Sequence, residues 1–326
     1  MTKSVLIIGG GGMVGQKLAH RLATTGLDGS TDLAVTLYDM GFPEGGAPAV
    51  DRLTGNLANA GEAARLAAPR YDVVYHLAAI VSGQAETDFD LGWSVNMMAV
   101  WQLLEALRAE HTASGGTYVP RVVFTSSIAV FGAPYPDKIG DEFLSAPQTS
   151  YGAQKAIGEL MVTDFSRKGF IDGMSLRLPT ICVRPGKANL AASSFFSGII
   201  REPLNGVEAR LPVPDTVRHW HASPRAAARF LTHAAELDTD LLEGRRALSL
   251  PGVSCTVAEQ IDALRDIAGN NVVSLIKPEP DEAVMKIVQG WPRNFDPARA
   301  IALGFRAESN FSEIVQTYID EDLPER

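Results

Sequence analysis

The chain has 326 residues, 46% of them hydrophobic and 21% charged, and a formal net charge of −9. That length supports one large or two smaller cored domains, and the acidic balance argues against a nucleic-acid partner because no basic excess is present to neutralise phosphates. No apolar run reaches the roughly 20 residues of a membrane span, and Cys182 and Cys255 fit neither a metal-binding spacing nor a disulfide framework.

The N-terminus enters a strand at once, "SVLIIG" over 4–9, with a glycine cluster where a signal peptide would carry its apolar segment. A reducing cytoplasm is therefore the expected location. A helix is predicted over 13–26, then strands over 33–39, 71–78, 121–127 and 173–182, with helices at 61–68, 94–111 and 151–169 between them. The strands are nearly all apolar, as strands covered on both faces must be. Such β–α alternation predicts an α/β fold, a Rossmann-type doubly wound parallel sheet. Past about residue 180, Gly, Pro and polar residues break the pattern before helices recur at 224–237, 256–268 and 311–321. Residues 1–180 are thus predicted to form a dinucleotide-binding domain, with 216–246 returning to it. Residues 181–326 are expected to be mainly a smaller C-terminal substrate-binding lobe. In "RHWH", His219 and His221 have no acid or Cys beside them, so no metal is expected.

"LIIGGGGMVGQKL" ends the first strand and opens the first helix, with Gly9, Gly12 and Gly15 spaced Gly-x-x-Gly-x-x-Gly. Glycines there permit a tight turn and let the backbone approach a pyrophosphate, while the helix start at Met13 and Val14 offers unpaired N–H groups. The second strand ends at Asp39, and 40–51 contains no Lys or Arg. A carboxylate in that place accepts the adenosine ribose hydroxyls and repels a 2′-phosphate, so NAD is favoured over NADP.

The strand "FTSS" delivers Ser126 and Ser127 to the sheet edge where ligands bind in this architecture. Tyr151 and Lys155, in "TSYGAQKAIG", share one face of a later helix. With the glycine loop, "SSIAVFG" (126–132) and Tyr-x-x-x-Lys in this order, the chain resembles the extended branch of the short-chain dehydrogenase/reductase family over most of its length. Phe131 stands where that family usually has Tyr. Ile128 and Ala129 stand where its dehydratases carry an acidic pair, so sugar dehydration is not expected. The resemblance implies Ser127, Tyr151 and Lys155 as the catalytic set. A free phenol has a pKa of about 10; a cationic Lys155 and an oxidised nicotinamide nearby would lower it, so that Tyr151 takes a substrate hydroxyl proton while hydride leaves the same carbon. Ser127 would hold the substrate oxygen and Lys155 the nicotinamide ribose. The same resemblance places Asn56 and Leu57 beside the adenine, the run His76, Leu77, Ala78 and Ala79 along the cofactor, Asn96 near its ribose, and Pro179 and Ile181 at the carboxamide. It also implies a homodimer through helices 94–111 and 151–169.

For the substrate, the cations Arg184, Lys187 and Arg218 suit an anionic ligand, a carboxylate or a nucleotide-sugar diphosphate alike. Asn189 and Ser193 are neutral donors in the same region, and Ser126 joins Ser127 and Tyr151 at the strand end. "RPGKANLAASSFFSGIIREPLNG" with "RHWHASPR" is similar to a bacterial group within that family, the NAD-dependent D-erythronate dehydrogenases. This likeness implies oxidation of a small sugar acid at the carbon next to its carboxylate. The alternatives are a nucleotide-sugar 4-epimerase with the same Ser, Tyr, Lys and NAD, and a non-catalytic dinucleotide sensor.

Overall fold

The computed structural model describes residues 2–47, 51–186 and 192–323. Its centre is a seven-stranded sheet whose members, along the chain, are Lys3–Ile8, Leu33–Asp39, Asp51–Thr54, Val73–His76, Arg121–Ser127, Asp172–Leu178 and Ala247–Ser249. Across the sheet they run seventh, sixth, fifth, fourth, first, second, third, every pairing parallel. Strand order therefore reverses between the first and fourth strands, which opens a crevice at their carboxyl ends.

The first strand explains the apolar pattern. Val5 and Ile7 pack on one face with Leu18 and Leu22 of the helix Met13–Thr25. Leu6 and Ile8 pack on the other with Leu103 and Leu104 of the helix Ala99–Ala113. With successive side chains on opposite faces, a strand between two cores turns apolar residues to both.

Two edge strands, Asp51–Thr54 and Ala247–Ser249, carry no such pattern and were not among the predicted elements. The first is largely exposed, and the second has only three residues. The predicted strand over 173–182 is two pieces. Asp172–Leu178 belongs to the central sheet, whereas Thr180–Ile181 pairs with Arg218–Ala222, which in turn pairs antiparallel with Val253–Thr256. Pro179 marks the break between them, as expected of a residue without an N–H to donate.

The helix Pro224–Glu236 buries Ala227, Phe230, Leu231 and Ala234 in the same core as Val5 and Leu18. A separate core joins the helices Ser194–Leu204, Val257–Ala268 and Phe311–Glu321 through Phe196, Ile200, Leu264, Ile314 and Tyr318. Among the described residues, no helix is long and apolar enough to cross a membrane.

Candidate active site

A cavity of about 520 Å³ lies at the carboxyl ends of the strands, between the sheet and the C-terminal segments. Gly9, Gly12, Met13, Val14 and Gly15 form one wall. Gly9 has φ +90°, and a Cβ there would lie 2.6 Å from Ala78 N; a Cβ on Gly15 would lie 2.3 Å from Gly9 O. Both are glycine for internal reasons. Gly12 is different: its Cβ would meet only Gly9 O, at an ordinary 3.5 Å, so leaving it bare keeps space for a ligand. It also caps the helix Met13–Thr25 without a side chain, and the first turn holds no acid, which leaves the end open to an anion. Gly11, outside the motif spacing, is just as constrained, since its Cβ would lie 2.0 Å from Gly41 O.

Asp39 sits beside this loop. Its Oδ2 accepts from Gly11 N at 2.9 Å and its Oδ1 from Met40 N at 2.7 Å, and each oxygen keeps a lone pair for a ribose hydroxyl. The bare helix end, Gly12 and this carboxylate together fit a dinucleotide. Leu77, Ala79, Pro179 and Ile181 also line the cavity. Ala78 instead bonds through its N–H to Ile8 O at 3.0 Å. Asn56 accepts from Ala58 N at 3.0 Å, shaping its own turn, and Leu57 is buried in the core around Tyr38 and Leu66. The ring of His76 is buried against Phe124.

Asn96 stands behind the cavity wall. It is 1% exposed in a π-helical turn, Ser94–Met98, off the cavity wall. Its amide closes on both backbone groups of Ile80, at 2.8 and 3.1 Å, and on Gln154 Oε1 at 2.9 Å. It shapes the wall from behind, because Ile80 faces the cavity.

Ser127, Tyr151 and Lys155 meet at the cavity floor. The helix Ser150–Arg167 starts at Thr149, whose side chain accepts from Gly152 N, and that cap fixes Tyr151 in the first turn. Gly158, two turns on, lets the helix press onto Phe124: a Cβ there would lie 2.6 Å from the ring. Lys155 is 2% exposed, and its Nζ donates to Thr125 O at 2.8 Å and stands 5.7 Å from the Tyr151 ring centre. Burial pushes the lysine down to about 7, against the opposing pull of Glu159. Burial pushes Tyr151 up to about 12, while Arg184 and then the Ser127 hydroxyl draw it down. Arg184 is thus a cation that favours the phenolate, and Lys155 Nζ stands beside the same ring.

Ser126 is on the wall, but its hydroxyl donates to Glu159 at 2.5 Å. Glu159 is clamped from the other side by Arg177, at 2.8 and 2.7 Å. Ser126 is therefore tied to a buried cluster while it also lines the cavity. Phe131 packs with Phe143 and Phe295 and beneath the Arg177 guanidinium, 4.9 Å away. A tyrosine hydroxyl would add nothing to those ring contacts.

Arg184, Ser193, Ser197, Arg201 and His219 line the same cavity, with Arg184 near enough to Tyr151 to act on its phenol. Arg184 donates from Nε to Ile181 O at 2.9 Å, from Nη2 to Ser193 Oγ at 3.0 Å, and from its backbone N to Ser197 Oγ at 3.0 Å. Arg201 donates from Nη1 to Arg184 O at 2.8 Å and pairs with Glu202. Arg201 was not singled out in the sequence, although Ser194, Ser197 and Arg201 lie on one face of the helix Ser194–Leu204 by spacing. His219 Nδ1–H donates to Pro292 O at 3.0 Å, so its Nε2 accepts from the Thr180 hydroxyl at 2.7 Å.

Arg218 is not in this group. It pairs with Ser254 O at 3.0 Å and Glu259 at 3.1 Å, away from the cavity. The strand Arg218–Ala222 alternates: His219 and His221 pack on Phe196, and Trp220 on Phe295. With His219 facing the cavity, Arg218 must face away. Lys187 and Asn189 lie outside the described residues.

Residues 5–243 match the NAD dependent epimerase/dehydratase family, and the chain belongs to it. It is an NAD-binding enzyme of that family. The chain is 46% identical over 324 residues to the D-erythronate dehydrogenase of Cupriavidus necator, covering 98% of each. It is 40% identical over 319 residues to the D-erythronate dehydrogenase of Haemophilus influenzae, covering 98% of this chain and 99% of the other. A solved structure described as a nucleoside-diphosphate-sugar epimerase from Agrobacterium tumefaciens superimposes with a TM-score of 0.94 at 52% identity, covering 99% of this chain and 95% of that one.

Proposed function

We propose that this enzyme oxidises D-erythronate at C2 to 2-dehydro-D-erythronate, using NAD. One observation carries the reading: the Tyr151–Ser127 pair shares a single cavity with the Arg184–Ser193 pair. A 2-hydroxy acid needs these two groups side by side, one for the hydroxyl and one for the carboxylate. The guanidinium of Arg184 takes the carboxylate, with Ser193 as neutral neighbour and Arg201 bracing the segment through Arg184 O. Tyr151 Oη accepts the C2 hydroxyl proton, and Ser127 Oγ holds the oxygen as it becomes a carbonyl. Arg184 and Ser127 both favour the phenolate. Lys155 takes the ribose of the dinucleotide. Bound NAD supplies the hydride acceptor. Gly12, Met13, Val14 and Asp39 hold its pyrophosphate and adenosine ribose, and Leu77, Ala79, Pro179 and Ile181 its nicotinamide half.

Residues 1–180, with 216–246, make up the NAD-binding domain in this reading, and the rest of 181–326 the substrate lobe. The enzyme works in the cytoplasm as a homodimer. Met98, Trp101 and Leu160 are large exposed apolar side chains on the helices expected to pair, which supports that assembly. Purified protein given NAD and D-erythronate should produce NADH in proportion to acid consumed. Interconversion of nucleotide sugars without net reduction would instead establish the 4-epimerase reading, and NAD binding with neither activity a sensor.

A further inference from the structure

Trp291 lines the cavity, yet the proposed chemistry gives it no task. It follows the helix Glu282–Gln289 in the C-terminal segment, and its surroundings hold it firmly. Trp291 N donates to Val288 O at 3.0 Å, the Tyr135 hydroxyl reaches Gly290 O at 2.9 Å, and His219 Nδ1–H reaches Pro292 O at 3.0 Å. The indole lies against the His219 ring, with centroids 5.2 Å apart, and His219 is stacked flat on Phe196 at 5.2 Å. Phe196 is followed directly by Ser197, which accepts from Arg184 N. One stack of rings thus connects Trp291 to the proposed carboxylate anchor.

His219 cannot itself take the carboxylate as a cation. Burial pushes it down to about 4, and both ring nitrogens are already used, one on Pro292 and one on Thr180. Its place in the cavity is to hold the wall upright. What that wall presents is an indole, a rigid apolar surface with a single N–H. A sugar acid carries a hydroxyl on every carbon after the first, so each added carbon brings a group that must find a partner or lose its water without compensation.

We infer that Trp291 is the length gauge of the substrate site, closing it to sugar acids longer than four carbons. This rests on the sugar-acid reading above. D-Ribonate and D-allonate repeat the configuration of D-erythronate at C2 and C3 and extend it by one and two carbons, so they isolate length as the variable. The experiment compares kcat/KM for the three acids in the wild-type enzyme and in Trp291→Ala and Trp291→Phe, with NAD affinity measured in parallel. The wild type should favour D-erythronate. Trp291→Ala should raise the D-ribonate to D-erythronate ratio about tenfold or more, within the range one cavity-sized change gives in substrate discrimination. Trp291→Phe should fall between, with NAD affinity unchanged in both. If Trp291→Ala does not bind NAD, Trp291→Phe alone decides by the direction of the ratio. An unchanged ratio in an enzyme active on D-erythronate overturns the inference and leaves the sugar-acid reading standing. A wild type inert toward all three acids overturns both.

Discussion

Arg184 carries two tasks that different substitutions separate. In Arg184→Met the carboxylate loses its cationic partner. Truncating one member of a charge pair out of bulk water costs about 2–5 kcal/mol, or about 30-fold to several-thousand-fold in an equilibrium constant. Because the side chain also holds Ile181 O and Ser193 Oγ, the lower half of that range is the expected rise in KM, the remainder being diluted by water entering the site. The second task concerns Tyr151, whose proton affinity Arg184 draws down against burial. Removing the charge raises the phenol's pKa. Oxidation needs the deprotonated phenol, so the limb of kcat that rises with pH moves to higher pH. Arg184→Lys keeps a charge but loses the two-pronged donor; it should show the KM effect with most of the pH profile preserved. Steady-state kinetics across pH on the wild type and both variants provides the assay. If Arg184→Met leaves KM within twofold and the pH limb in place, the carboxylate is bound elsewhere and the assignment fails.

Three further outcomes are expected. Asp39→Ala should weaken NAD binding by about ten- to a hundredfold, from loss of charged hydrogen bonds of about 1.5–3 kcal/mol, and should narrow the preference over NADP; titration calorimetry with both dinucleotides checks this. Arg218→Ala should change KM for the acid less than twofold, because Arg218 reaches Ser254 and Glu259 outside the cavity; a larger rise would return it to the substrate site. Glu159→Ala strands the Arg177 guanidinium, whose side chain is 14% exposed, and should lower stability by about 3–5 kcal/mol, read as the shift in urea unfolding.

Much of the frame was legible because it follows from local rules. Strands buried on both faces announced the parallel sheet, and the glycine spacing announced the crevice and its ligand. The one-turn separation of Tyr151 and Lys155 put both on the cavity floor. The missing parts depend on what lies across from a residue. Nothing in "SS" says that Ser126, which lines the cavity beside Ser127, gives its hydroxyl to Glu159. In "RHWH" the period of two was visible, but which pair faces inward depends on Phe196 and Phe295, far along the chain. That Arg184 also acts on the Tyr151 phenol depends on the folded packing. Burial lowers the lysine and raises the phenol, and neither displacement is written in a four-residue spacing. The edge strand Asp51–Thr54 is exposed and so lacks the apolar signature that revealed its neighbours.

The central claim is that hydride leaves C2 of D-erythronate as Tyr151 takes the hydroxyl proton. D-Erythronate deuterated at C2, incubated with NAD and enzyme, tests it most directly. One deuterium should appear in NADH per acid oxidised, with slowed turnover if this step limits the rate, and Tyr151→Phe should bind NAD normally yet transfer none. Deuterium that stays on the acid or never reaches NADH, or a Tyr151→Phe enzyme that transfers it at near the wild-type rate, would contradict the account.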